Sequence, residues 1–358
     1  MRRSAFRPTA SILLITSSAF ALLTAAPALA QQQPQADAVD DIVVTGTRVQ
    51  NRSRLDSVAP VDVVTAETLQ QRGSTELATQ LAATVPALNF PRPSATDGTD
   101  SIRPATLRGQ GPDQTLVLVN GVRRHATALV NTNGSVGRGS AAVDLNAIPS
   151  TAIERIEVLR DGASAQYGSD AIAGVINIVL KGAASGGSVS ARVGQYSAGD
   201  GETYQLSGDG GFALGDGGAL HLAAQVGHSD QTDRARPFIG TPSATSAPLG
   251  RVVQRQGDPE IDQYGVSYNA RYDLADALEL YSFATASRRD ALSNGFFRPA
   301  GDSRNIPAIY PDGFLPNIRN IATDRAFVVG LRAETAGGTD IDLSYNYGNS
   351  DLTFDVEN

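Results

Sequence analysis

Apolar and polar residues alternate with a period of two along four stretches of the C-terminal half of this chain. Val189, Ala191 and Val193 are separated by Ser190 and Arg192, and Leu220, Leu222, Ala224 and Val226 by His221, Ala223 and Gln225. The longest run sets Tyr264, Val266, Tyr268, Ala270, Tyr272 and Leu274 against Gln263, Gly265, Ser267, Asn269 and Arg271. Ile341, Leu343, Tyr345 and Tyr347 repeat it against Asp340, Asp342, Ser344 and Asn346. A strand with lipid on one face and water on the other requires this pattern over about ten residues. Seven strands are predicted, near 188–198, 202–213, 219–230, 261–273, 278–288, 325–336 and 339–350. Links after the second, fourth and sixth are short, whereas 231–260 and 289–324 are long. Short turns on one side and long loops on the other are the asymmetry of a membrane-spanning sheet.

The N-terminal half alternates differently. Val61 to Val64 predicts a short strand, and Thr65 caps a helix over 66–72 that Gly73 closes. Ser74 is expected to cap a second helix, on which Leu77, Leu81 and Val85 share a face before Pro86 ends it. Residues 89–103 form a loop rich in Pro, Ser, Thr and Gly. Gln114 to Val119 is a strand, Asn120-Gly121 a tight turn and Val122-Arg123 its return. A glycine-rich loop spans 125–141, and strands are predicted at Ile153 to Leu159 and Val175 to Leu180. This is an α+β domain of roughly 130 residues, enough for one core.

Several of these segments carry a family resemblance. Leu107-Arg108-Gly109, Val117-Leu118-Val119-Asn120-Gly121-Val122, the run Ile153 to Gly168 and Ala173 to Ile178 are similar, in wording, order and spacing, to the plug of TonB-dependent outer-membrane receptors. Asp41-Ile42-Val43-Val44-Thr45-Gly46 then resembles the TonB box. The resemblance implies an α+β plug domain at 50–182, preceded by a flexible leader with the box at 31–49. Antiparallel transmembrane β-barrel strands at 187–358 follow, an incomplete part of a 22-stranded barrel. It implies an importer whose box pairs with TonB by β-augmentation, with a small-molecule ligand such as a ferric siderophore as cargo. A saccharide, vitamin or other organic nutrient is the alternative cargo. For 41–46 the competing reading is an ordinary first strand of the domain, which the β-branched residues would favour equally.

The loops 89–104 and 124–140 would lie at the plug's outward apex. Arg92, Arg103, Arg124, His125, Asn131, Asn133 and Arg138 there offer charge and hydrogen bonds to an anionic or polyhydroxylated ligand. The plainer reading of each is a solvated loop residue. Arg108, Glu154, Glu157 and Arg160 are expected to make plug–barrel contacts, or else to decorate the surface.

Composition narrows the picture. Arg2, Arg3 and Arg7 followed by the apolar 12–23 and Ala28-Leu29-Ala30 make residues 1–30 a signal peptide. Its removal takes the formal charge from −8 to −11, because three arginines and no acid are lost, and an acidic protein is a poor nucleic-acid binder. The absence of cysteine excludes disulfides as the source of stability. No cofactor is expected, and His125, His221 and His228 are too scattered for a metal site. No Ser/His/Asp arrangement argues for an enzyme. A plug of this size has a radius near ~18 Å. Eight strands close to only ~8 Å, while 22 reach ~23 Å, so further strands are expected. A passive pore and a barrel-anchored surface enzyme or adhesin are the rival readings.

Overall fold

The computed structural model describes residues 60–96, 98–132, 137–241 and 247–357, with the backbone of Ile42–Val43 and Arg52–Ser53. The expected signal peptide and most of the leader lie outside these. Ile42–Val43 (β1) pairs antiparallel with Arg52–Ser53 (β2), in the register Ile42↔Ser53. Asp41, Val44, Thr45 and Gly46 lie outside the described residues.

The N-terminal domain is built on a five-stranded sheet. Val61–Thr65 (β3) leads into Ala66–Gln70 (α1), where the Thr65 hydroxyl accepts from the Thr68 amide. Leu77–Ala82 (α2) starts two residues later than Ser74 suggested: the Ser74 hydroxyl accepts from the Glu76 amide instead, within the turn before the helix. Leu77, Leu81 and Val85 are all buried. Val85 lies beyond the helix, because the residue before a proline is disfavoured in helical geometry. Leu88–Asn89 (β4) pairs with Thr106–Leu107 (β5). Thr115–Val119 (β6) and Val122–Arg123 (β7) form the expected hairpin, with Asn120 and Gly121 both at positive φ. Ile153–Leu159 (β8), Ser164–Tyr167 (α3) and Gly174–Leu180 (β9) complete the domain. Sheet order is β3-β8-β9-β6-β7, all pairs antiparallel except the parallel β6/β9. β6 and most of β9 are buried on both faces, which explains their uninterrupted apolar runs. Leu107, Ile148, Ile156, Val158, Ile176 and Ile178 form the centre of the core.

Seven antiparallel strands follow in meander order: Gly187–Gly194 (β10), Thr203–Leu214 (β11), Gly218–Ser229 (β12), Glu260–Ala275 (β13), Leu278–Asn294 (β14), Asn317–Glu334 (β15) and Asp340–Glu357 (β16). The alternation and the pairing agree. Tyr272, Leu222 and Val226 share the face turned away from the N-terminal domain, while His221, Gln225 and Asn269 share the face turned toward it. The last three strands extend six to eight residues beyond the predicted ends on the long-loop side. There both faces meet polar surroundings, so the ladder continues while the alternation that revealed it fades.

Candidate functional site

The N-terminal domain rests on the inner face of the seven-stranded sheet through two buried clusters of charge. In the first, the Arg124 guanidinium donates to Thr285 Oγ1 at 2.8 Å and to the Asp324 carboxylate. His125 Nε2 reaches the other Asp324 oxygen at 2.9 Å. Four residues along β14 from Thr285 the polarity reverses: Arg289 donates to Asp144 Oδ2 of the domain at 2.7 Å and to the Ser101 carbonyl. Burial pulls the Arg124 pKa below its ordinary value, and the carboxylates of Asp324 and Asp144 oppose that shift. In the second cluster Asp209 of β11 accepts from Lys181 at 2.9 Å and from Thr151 at 3.2 Å, with His221 Nε2 at 3.0 Å.

Neutral contacts fill the space between. Gln225 accepts from the Ser150 amide, Gln263 donates to the Asn146 carbonyl, and Asn269 donates to the carbonyls of Leu180 and Lys181. Asn120, whose left-handed backbone makes the β6–β7 turn, donates to Asn269 at 3.3 Å. These amides satisfy backbone groups that the seam would otherwise leave without partners.

Beside the seam lies a cavity of about 380 Å³, lined in part by Ser74, Glu76, Arg92, Tyr196, Thr232 and Asp258. Arg92 is held between Glu76 at 2.8 Å and Asp258 at 3.0 Å, and Arg103 approaches the second Glu76 oxygen at 2.7 Å. Burial raises the Asp258 pKa, an effect that Arg92 opposes and Glu76 reinforces.

The expected apex residues therefore divide. Arg92 and Arg103 converge on Glu76, and Arg124 and His125 on Asp324, so these side chains are already engaged by carboxylates. Asn131 is buried, its backbone bonded to Ser140 and Gly139. Arg138 is exposed, and Asn133 lies outside the described residues. The four residues expected at the barrel wall find their partners inside the domain instead. Arg108 bonds Asp161, Arg160 bonds Asp62, Glu154 bonds Arg155, and the fully buried Glu157 accepts from Arg155 and Asn177. Glu157 and Arg155 sit on the sheet itself, which places them within reach of neighbouring strands rather than the wall. Residues that do make the contact, Asp209, Arg289 and Asp324, share one signal: a charge on the inward phase of a strand.

The long loops are tied to each other and to the sheet. Arg251 pairs with Asp312 at 3.0 Å, and Gln254 bonds both the Gly295 carbonyl and the Phe297 amide. Arg234 forms a two-pronged pair with Asp200, whose pKa is held down to about 2, chiefly by that hydrogen bond. The folded pKa is depressed, so this tie is complete above the ordinary carboxylate range near ~4 and is lost as pH falls through about 2. Hydrogen exchange at 230–241 should accelerate only in that acidic window; acceleration already between pH 7 and 5 would count against the tie.

Residues 53–175 match the TonB-dependent Receptor Plug Domain. This N-terminal domain is a TonB-dependent receptor plug. The receptor PirA of Pseudomonas aeruginosa, described as a ferric enterobactin receptor, is 36% identical over 141 residues, covering 39% of this chain and 18% of its own length. The vitamin B12 transporter BtuB of Vibrio cholerae is 31% identical over 212 residues, 59% of this chain and 30% of its own. In three dimensions the crystal structure of the ferric enterobactin receptor PfeA superposes with a TM-score of 0.62 at 22% identity, across 82% of this chain and 41% of that one. The chain thus spans less than half the length of these relatives. The shared fold is a plug followed by antiparallel barrel strands, of which seven are described here.

Proposed function

We propose that the protein is an energy-coupled importer of the outer membrane, with a ferric siderophore as its cargo. The observation that carries this is the plug seated by buried, opposed ion pairs against the inner face of a lipid-patterned sheet. A plug so placed obstructs any passage beside the sheet and must be displaced for a solute to pass. The segment that would transmit the pull lies just N-terminal to the plug. β1 and β2 form a two-stranded sheet, paired over two residues among those described. An isolated two-stranded pairing is marginally stable. It can be exchanged for a longer ladder with an edge strand of TonB, which is how β-augmentation gains affinity.

The siderophore reading is supported by the PirA and enterobactin-receptor relatives, which are described as ferric enterobactin receptors. A second reading, vitamin B12, is favoured by the longer BtuB match. Uptake of radiolabelled ferric enterobactin and of cobalamin by a deletion strain expressing the protein separates the two. Val44→Pro removes a backbone donor from the box. Uptake should fall to background in that variant while ligand binding to whole cells is unchanged; wild-type uptake would overturn the coupling role of the box. Ion conductance in the absence of TonB would favour a passive pore.

A further inference from the structure

The links on the long-loop side of the sheet are tied into one body. Arg234, on the link between β12 and β13, grips Asp200 of the β10–β11 link with two prongs. Arg251 of the same link holds Asp312 of the β14–β15 link at 3.0 Å, and Gln254 bonds the Gly295 carbonyl and the Phe297 amide there. The base of the β12–β13 link is closed on itself. The Asp258 amide donates to Thr232 Oγ1 at 2.8 Å, and the Thr232 amide donates to the Asp258 carbonyl. A Cβ on Gly257 would stand 2.2 Å from the Thr232 carbonyl oxygen, so the closure has no slack.

This body meets the plug at the rim of the cavity. Arg92 Nε lies 3.0 Å from Asp258, and Ser94 Oγ donates to the Gly257 carbonyl at 3.2 Å. The far end of the same guanidinium lies 2.8 Å from Glu76, the residue that precedes α2. Glu76 also takes Arg103, Asn146 and Thr79, so it moves with the plug and not with the link. α2 follows α1, α1 continues β3, and β3 is an edge strand paired only with β8. The Arg92 guanidinium therefore stands between the external links and the part of the plug closest in sequence to the box.

Exposure sets the kind of tie. The Arg92 and Asp258 side chains are 37% and 25% exposed, against 4% and 10% for Arg124 and Asp324. Water screens the first pair and leaves it exchangeable, whereas the second is costly to part. Burial and the neighbouring Glu76 both push the Asp258 pKa up against the pull of Arg92, so Asp258 is held weakly. A weak tie between two well-anchored bodies suits a contact that must open and close.

We infer that Arg92 is a positioning latch: while it joins Asp258 to Glu76, the tied external links keep α2 seated and restrain the segment that carries the box. Movement of those links separates Asp258 from Arg92 and releases α2. Coupling of this kind is reciprocal, so engagement of the box also loosens the external links. The inference rests on the coupling role of the box proposed above.

The purified full chain in detergent is titrated with a purified periplasmic TonB domain, with no solute present. Arg92→Gln and Asp258→Asn should each raise the affinity at least about fivefold, the lower end of ordinary coupling between sites. Arg92→Lys should stay near wild type, as should Arg304→Ala, which removes a charge within the β14–β15 link. Slow-exchanging amides in β6 and β9 report whether each variant keeps the fold. Hydrogen exchange at 232–241 should accelerate when the domain is added to wild type, and should already be fast in Arg92→Gln without it. Wild-type affinity in both Arg92→Gln and Asp258→Asn overturns the latch. So does an unchanged exchange rate at 232–241 in wild type saturated with the domain, a comparison that needs no variant. Failure of wild type to bind the domain, or binding that Val44→Pro leaves intact, overturns the box reading together with the latch.

Discussion

Asp324→Ala loosens the plug from β14 and β15 by about 3–5 kcal/mol, the usual cost of leaving one member of a buried ion pair uncompensated. The variant strips Arg124 of its main counter-charge and His125 of its partner at once. Arg124 is nearly inaccessible to water, at 4% side-chain exposure, so solvent cannot replace the carboxylate. Only Asp144, already bonded by Arg289, remains to oppose the burial. Hydrogen exchange across β6 and β7 should accelerate, and vancomycin, which a seated plug excludes, should gain entry to cells. Asp324→Asn should fall between, because its one amide oxygen can still accept from Arg124 while the charge and the second acceptor oxygen are lost. Arg124→Met combined with Asp324→Leu should recover much of the loss, since an apolar pair carries no desolvation penalty. Wild-type exchange rates in Asp324→Ala would show that the pair does not hold the plug.

Gly174→Ala is the second large effect, and it acts inside the plug. Gly174 opens β9 at φ +150°, where a Cβ would sit 2.2 Å from the Leu159 carbonyl oxygen and 2.5 Å from Leu107 Cδ2. Neither neighbour can withdraw. The Leu159 backbone belongs to β8, and Leu107 is fully buried in the core. Backbone strain and overpacking each cost about 1–3 kcal/mol, so the sum approaches ~4 kcal/mol. The expected outcome is loss of slow-exchanging amides in β6, β8 and β9, with the β10–β16 ladder preserved. Gly73→Ala provides the internal control. Its φ of +70° imposes strain of about 1–2 kcal/mol, but nothing lies within 4 Å to be displaced. Equal effects of the two substitutions would mean that contact with Leu159 and Leu107 is not the cause.

Much of the architecture was legible because lipid and water impose a period of two. The run Tyr264 to Leu274 announced β13 and its outward face without any tertiary information, and the unequal links placed the loops. Asn120-Gly121 fixed the β6–β7 turn through the conformations its two residues tolerate. Legibility failed where the imposing environment changed. β15 begins at Asn317 rather than near 325, because above the apolar band no alternation marks it. Asp324, the carboxylate on which the first seat depends, fell in that blind stretch.

The site residues show the same division. Arg124 and His125 were identifiable as chemistry on a plug loop, but whether they face a ligand or a wall depends on a residue some 200 positions away. Arg108, Glu154, Glu157 and Arg160 have the composition of interface charges, yet strand pairing places Asp62, Arg155, Asn177 and Asp161 beside them first.

The chain by itself determined the order of its parts, the face each strand turns to lipid and the local turns, because solvent contrast and backbone sterics act on neighbouring residues. Only the tertiary structure decided which charges oppose one another across the seam. A charge finds its partner through space, and burial, which sequence does not display, sets how much that pairing is worth.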